Sequence, residues 1–230
     1  NMLNKVAVVV GVGPGIGGEV ARKFAREGYK VGLVSRSSEK MKVVEDQIKH
    51  KGGEASSFPA DAVDEDALKG AFDNIRKTLG DPTVLVYNTQ YFKMGSLLKI
   101  SRKDVSYGLD VMCLGGITCA QEVLPKMLEE KQGTIIFTGA TASLRAGAKF
   151  SALAIPKFAL RALAQSAARE FGPQGVHVAH VIIDGLVDKE NDGGAKFLSP
   201  EAIASEYWNI HAQDKSTWSH EVDLRPYMEK

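Results

Sequence analysis

Residues 5–18 read KVAVVVGVGPGIGG, and the way this stretch divides decides the fold. Its first half, 5–11, is an unbroken run of mostly β-branched apolar residues, the pattern of a strand buried on both faces. Its second half is glycine-rich and gives way to a helical pattern over 15–28. A strand, a glycine turn and a helix in that order open a βαβ unit. Glycine lets the backbone turn tightly and approach a pyrophosphate closely. The helix start beyond it offers free N–H groups and a positive dipole end to such an anion. The loop Gly11-Val12-Gly13-Pro14-Gly15-Ile16-Gly17 satisfies the spacing G-x-x-x-G-x-G, while Gly13, Gly15 and Gly18 satisfy the shorter G-x-G-x-x-G. Which of these glycines face phosphate stays open at this stage, and a ligand-free turn would use the same residues.

The alternation continues along the chain. Strand patterns recur at 29–35, 55–58, 83–88, 133–139 and 176–183, with a last one near 221–224. Helical patterns fall at 38–51, 64–79, 104–131, 150–171 and 199–211. No repeat or linker interrupts them. Apolar strands alternating with amphipathic helices imply a parallel sheet covered on both faces, and right-handed crossovers wind it in both directions. The expected fold is therefore α/β, a Rossmann-like doubly wound parallel sheet in a single dinucleotide-binding domain over 1–230. Its expected strand order is 3-2-1-4-5-6-7.

Bulk properties exclude several classes. The 230 residues carry a net charge of +1 with no basic stripe, so nothing electrostatic favours nucleic acid or an anionic membrane as partner. No apolar run is long enough to span a bilayer. No signal or transit segment is expected ahead of the first strand. Two cysteines, Cys113 and Cys119, are expected to be reduced and packed, as in a cytoplasmic protein. His177 and His180 are three apart in a predicted strand and fall on opposite faces, and His211 and His220 lack ligand spacing, so no metal is expected.

The second strand ends in Ser35-Arg36-Ser37. An acidic residue here would bind both ribose hydroxyls and repel a 2′-phosphate, and none is present. Arg36 can pair with that phosphate and the serines can donate to it, so NADP(H) is preferred over NAD(H). A solvated surface arginine is the plainer alternative.

With these residues in place the chain resembles the short-chain dehydrogenase/reductase family over nearly its whole length. Gly11, Gly15 and Gly17 fall on that family's cofactor loop, with Gly13 and Ile16 between them. Asp61 and Ala62 fall where an Asp contacts adenine, and Asn88 matches the second Asn of the family's Asn-Asn-Ala-Gly strand end. Lys157 matches the lysine that holds the nicotinamide ribose. Asp184-Gly185-Leu186-Val187 falls on the Pro-Gly-x-Ile/Val segment beside the carboxamide, with Asp in place of Pro. The resemblance implies pairing through the helices at 104–131 and 150–171, as a homodimer or homotetramer. It also places a substrate lid at 189–199.

The family's chemistry uses a Tyr as proton donor, a Lys that lowers its pKa, a Ser that orients the substrate oxygen and an Asn that supports a relay water. Aligned by Lys157, the Tyr position holds Leu153, the Ser position Ala140 and the Asn position Met112. None of these three supplies a proton. Enoyl thioester reductases of the family place a tyrosine seven before the lysine, and Phe150 stands there. Other groups remain as candidate acids. Tyr91 is the best-placed phenol and Thr141 the neighbouring hydroxyl, with Tyr87, Thr138, Ser143 and Ser151 behind them. For each, a structural hydroxyl or loop aromatic is the alternative. Asp184 could meet the carboxamide or simply cap a turn. The expected pocket is apolar, with Leu153, Met112 and Phe150 on its wall, and suits an apolar small-molecule substrate. Two functions are compatible with this pattern: an NADP-dependent oxidoreductase with an atypical acid, or a non-catalytic NADP(H)-binding sensor or assembly protein.

Overall fold

A computed structural model describes residues 5–188 and 197–228. In chain order the elements are β1 (Val6–Val10), α1 (Ile16–Arg26), β2 (Lys30–Ser35), α2 (Ser38–His50), β3 (Glu54–Pro59), α3 (Glu65–Thr78) and β4 (Val84–Tyr87). They continue with α4 (Arg102–Leu109), α5 (Gly115–Glu129), β5 (Gly133–Ala140), α6 (Ser151–Phe171), β6 (Val176–Ile183), β7 (Leu186–Val187), β8 (Phe197–Leu198), α7 (Pro200–Ala212) and β9 (Glu221–Leu224). Seven strands form one sheet in the order β3-β2-β1-β4-β5-β6-β9, every pair parallel. This is the expected doubly wound order, with the strand at 221–224 closing the edge. A separate short pair, β7 and β8, was not foreseen.

The strand composition follows from burial on both faces. Val6, Val8 and Val10 of β1 join the layer under α3, α5 and α6, together with Phe72, Phe137 and Leu160. Ala7 and Val9 point the other way, into the layer with Phe24, Met41 and Tyr207 of α1, α2 and α7. Successive strand side chains alternate in this way, so an all-apolar strand feeds two cores at once.

One expected element needs correction. The helix foreseen as continuous over 104–131 is interrupted by a π turn at Asp110–Leu114, between α4 and α5. Such a turn releases backbone from the regular i→i−4 ladder. The carbonyl of Val111 accepts from the hydroxyls of Tyr87, at 2.5 Å, and Thr89, at 2.6 Å. Gly115 and Gly116 make room for this. A Cβ on Gly115 would lie 2.4 Å from the Tyr87 hydroxyl oxygen.

The histidines of β6 are tied to the segment at its edge. His177 Nε2 lies 2.8 Å from the Ser219 carbonyl, and its ring stacks on Trp218. His180 Nδ1 lies 2.9 Å from Glu221, which Arg161 also grips with two hydrogen bonds. Cys113 and Cys119 are buried free thiols. Among the described residues no helix is long and apolar enough to cross a membrane.

Candidate cofactor cleft and catalytic corner

A cavity of about 500 Å³ opens at the carboxyl edge of the sheet, where the strand order reverses around β1 and β4. Ligands bind at such switch points in open α/β sheets. The sequence-predicted residues Gly11, Gly13, Gly15, Ile16, Gly17, Ser35, Arg36, Asp61, Ala62, Asn88, Gly185 and Val187 all line it. Lys157 does not.

The structure sorts the glycines that sequence left undivided. A Cβ on Gly17 would lie 2.3 Å from the Gly11 carbonyl oxygen, and one on Gly18 the same distance from that of Gly13. These two are required by the close approach of α1 to the loop. Gly13 and Gly15 have nothing within 4 Å of such a Cβ, so they keep space open on the cavity side. The N-terminus of α1 is also uncapped by any side chain, whereas Ser37, Asp64, Ser101 and Ser199 cap α2, α3, α4 and α7. Free first-turn N–H groups facing open space suit a phosphate. A dinucleotide therefore fits the residues present. The cation at the β2 end is Arg36, whose guanidinium reaches the Tyr107 hydroxyl on α4 at 3.2 Å. Lys40, Thr89 and Gln90 also line the cavity, and sequence reasoning did not assign them to it; Thr138, a candidate acid from sequence, lines it too. Lys40 gave no signal beyond its place one turn after Arg36.

The candidate catalytic corner is largely apolar. Met112, Leu153, Val111, Ala142 and Ala154 form one buried cluster, with Ala140, Phe150, Tyr91 and Tyr107 packed against it. The three replaced positions thus meet in space, with Met112 and Leu153 buried and Ala140 packed against them. Only Ala140 among them lines the cavity.

Lys157 is fully buried in α6, and its ammonium donates to the Thr138 carbonyl at 2.9 Å. Burial without a countercharge pulls its pKa down to about 8. Thr138 lines the cavity, and its buried hydroxyl lies 2.6 Å from that of Tyr207, which burial holds well above the usual phenol range.

The candidate acids are mostly engaged. Thr141 donates to Asp184, and neither lines the cavity. Asp184 is almost wholly buried and sits between Arg225, at 3.2 Å, and Arg145, at 3.6 Å. This places it in an ion cluster rather than free in a turn. Tyr91 packs edge-on against Tyr107, ring centroids 4.9 Å apart. Tyr87 is spent on the Val111 carbonyl, and its pKa is driven far up by burial. Ser143 accepts from the Ala140 N–H at 3.0 Å, and the Ser151 hydroxyl is buried with no partner among the described residues. The lid expected over 189–199 lies mostly outside the described residues.

Fold, glycine loop and cleft together define a dinucleotide-binding α/β domain. The family model described as short chain dehydrogenase matches residues 5–192, and the chain belongs to that family. A short-chain dehydrogenase from Rhodopseudomonas palustris superposes with a TM-score of 0.88 at 35% identity, over 97% of this chain and 99% of that one. A metagenomic short-chain oxidoreductase in complex with NADP superposes with a TM-score of 0.87 at 28% identity, over 98% of both chains. Among curated proteins, a 3-oxoacyl-acyl-carrier-protein reductase of Staphylococcus aureus is 28% identical over 195 residues, 83% of this chain and 79% of its own length.

Proposed function

We propose that this protein binds NADP(H) in the cleft and acts as an oxidoreductase on an apolar carbonyl or unsaturated substrate, with an atypical acid. The observation that carries the cofactor reading is the complete glycine cradle, open at Gly13 and Gly15 and backed by the uncapped α1 N-terminus. Arg36 and the absence of a carboxylate at the end of β2 favour NADP(H) over NAD(H), in keeping with the NADP held by the metagenomic relative. When bound, the cofactor supplies hydride chemistry. The chain's own residues hold the dinucleotide, shape an apolar corner and exclude water from it. Lys157 would support the nicotinamide ribose by turning from the Thr138 carbonyl, where its buried ammonium now lies outside the cavity lining, a role that requires no tyrosine. Thr138, whose buried hydroxyl pairs with Tyr207, is a polar residue of this corner that lines the cavity. General acid catalysis is worth about 10²–10⁴-fold, so without the family tyrosine ordinary ketones are expected to turn over slowly. A homodimer or homotetramer built on α4 to α6, in the cytoplasm, completes the reading.

A second reading has its own support. The apolar closure of Met112, Ala140 and Leu153 fits an NADP(H)-binding sensor or assembly protein without turnover. Titration with NADPH and NADH, followed by a panel of apolar ketones, enals and enones, separates the two. NADPH consumption that is lost in Lys157→Ala favours the enzyme, and tight binding without turnover favours the sensor. The triple variant Met112→Asn, Ala140→Ser, Leu153→Tyr is expected to gain ketone reduction. Binding of neither nucleotide would overturn both readings.

A further inference from the structure

The small net charge of the chain is unevenly spread. Residues 88–103 and 140–156 contain no carboxylate. Two loops run through them, one between β4 and α4 and one between β5 and α6. The fold stitches these loops together. The Gly95 N–H donates to the Lys149 carbonyl at 2.9 Å, and Phe92 packs edge-on against Phe150, ring centroids 6.3 Å apart. Lys149 holds a φ of 71° at this junction, uncommon for a residue with a side chain. At the tip of the first loop Ser96 turns the chain back, accepting from the N–H groups of Leu98, Lys99 and Ile100. That turn leaves Leu97 and Leu98 outside, 78% and 97% exposed, with Phe92 and Met94 exposed as well. The charges among these side chains have one sign. Lys93 pairs with Asp104 at 3.7 Å and Arg145 with Asp184 at 3.6 Å. Lys99, Arg102, Lys103 and Lys149 are exposed and make no ion pair among the described residues.

We propose that the two joined loops form a docking surface for an anionic lipid layer, with Leu97 and Leu98 entering its apolar region and the unpaired cations meeting its headgroups. Burial of protruding apolar side chains and attraction of nearby cations are the two contributions that hold a protein at a membrane interface. Lysine and arginine suit this boundary, because their stems lie along apolar surface while their charges stay at the headgroups. A folded partner would need a fitted pocket for each protruding leucine, whereas a lipid layer takes them in without one. The sequence expectation of no membrane partner rested on net charge and on the lack of a basic stripe. The patch is assembled from two distant segments, so neither segment alone shows it. It borders the apolar corner, where Tyr91 and Phe150 pack against the cluster of Met112 and Leu153, and it does not depend on the nucleotide reading.

The test is co-sedimentation of the full chain with vesicles of phosphatidylcholine alone and of phosphatidylcholine with phosphatidylglycerol in equal parts. The wild type is expected to sediment with the anionic vesicles, less so as salt is raised, and to stay in solution with the neutral ones. The triple variant Lys99→Gln, Arg102→Gln, Lys103→Gln should lower the partition constant about a hundredfold, at roughly fivefold per charge near the surface. The double variant Leu97→Ser, Leu98→Ser should lower it about tenfold or more through lost apolar burial. Both variants should melt with the wild type, because the altered side chains are exposed. Equal sedimentation of the wild type with neutral and anionic vesicles, or binding that neither variant weakens, would overturn the inference. An oligomer that dissociates in the double variant, with no vesicle binding by the wild type, would overturn it too and assign the patch to a second copy of the chain.

Discussion

Lys157 shows what burying one charged side chain costs a fold. Its ammonium is enclosed by α6 and β5 with a single carbonyl partner. The folded value of about 8 lies below the ordinary 10.5, so at neutral pH the charge is held against its preference. That cost is full below about pH 8 and fades as the pH rises through 10.5, above which this side chain is neutral in both folded and unfolded chains. Lys157→Met is therefore expected to raise stability at pH 7 by on the order of 3 kcal/mol, read as a higher urea midpoint. The gain should shrink as the pH approaches 10.5. If Lys157 supports the nicotinamide ribose, the same variant weakens NADPH binding. A variant that is less stable at pH 7 would show that the Thr138 hydrogen bond outweighs the desolvation. The lysine itself was legible in FSALAIPKFAL, since its place on α6 and its distance from Ala140 follow from spacing. Its enclosure was not. That depends on α6 lying against β5, where the ammonium meets the Thr138 carbonyl, a tertiary contact that periodicity does not encode.

At the scale of elements, β6 and its neighbours concentrate buried imidazoles. His177, His180 and His211 are all held neutral by burial, and His211 is pushed down to about 4. The unfolded chain takes up these protons near the ordinary 6.5, before the folded one does. The stabilisation is complete above about pH 6.5 and is lost as the pH falls toward 4. Glu221, held below the usual range by Arg161, acts in the same direction. Denaturant midpoints should drop between about pH 6.5 and 4, and His211→Phe should flatten that slope. A flat profile in the wild type would mean that these rings titrate alike folded and unfolded. The glycines at the start of α5 carry a second prediction. Gly115→Ala places a methyl against the Tyr87 hydroxyl and the Ala62 carbonyl, and it should cost about 1–3 kcal/mol as overpacking. Strands and helices were legible because apolar and amphipathic periods differ. The π turn was not, because Asp110-Val-Met-Cys-Leu114 continues the helical pattern, and the decisive partner, Tyr87, lies on another strand. Lys40 was illegible for a related reason: α2 carries several lysines, and only the fold shows that this one lines the cleft.

At the scale of the molecule, the sheet is covered on both faces and closed at one edge by β9, which pairs with β6 through the register His180↔Glu221 to Ile183↔Leu224. Large side chains are nonetheless left outside. Leu114, Ile155 and Phe158 are 47%, 47% and 43% exposed on the side of α5 and α6, more than a surface of charged residues alone would show. Pairing of two copies through this side would cover them. Light scattering coupled to gel filtration is expected to give a dimer or tetramer, and Phe158→Glu should shift it toward monomer. A monomeric wild type would remove the proposed assembly while leaving the cleft intact.

The π turn also has a bearing on insertions and deletions. It holds one residue more than the α-helical turn it replaces, so everything after it is advanced by about 100° around the axis. On one side Gly108 lies close to Pro156 and Ala152 of α6, and on the other Gly115 faces Tyr87. The two contacts are in phase only because of the extra residue. Deleting the exposed Leu114 should thus yield a more regular helix and a less stable protein. The surplus residue acts as a spacer that keeps two halves of one helix addressed to different neighbours.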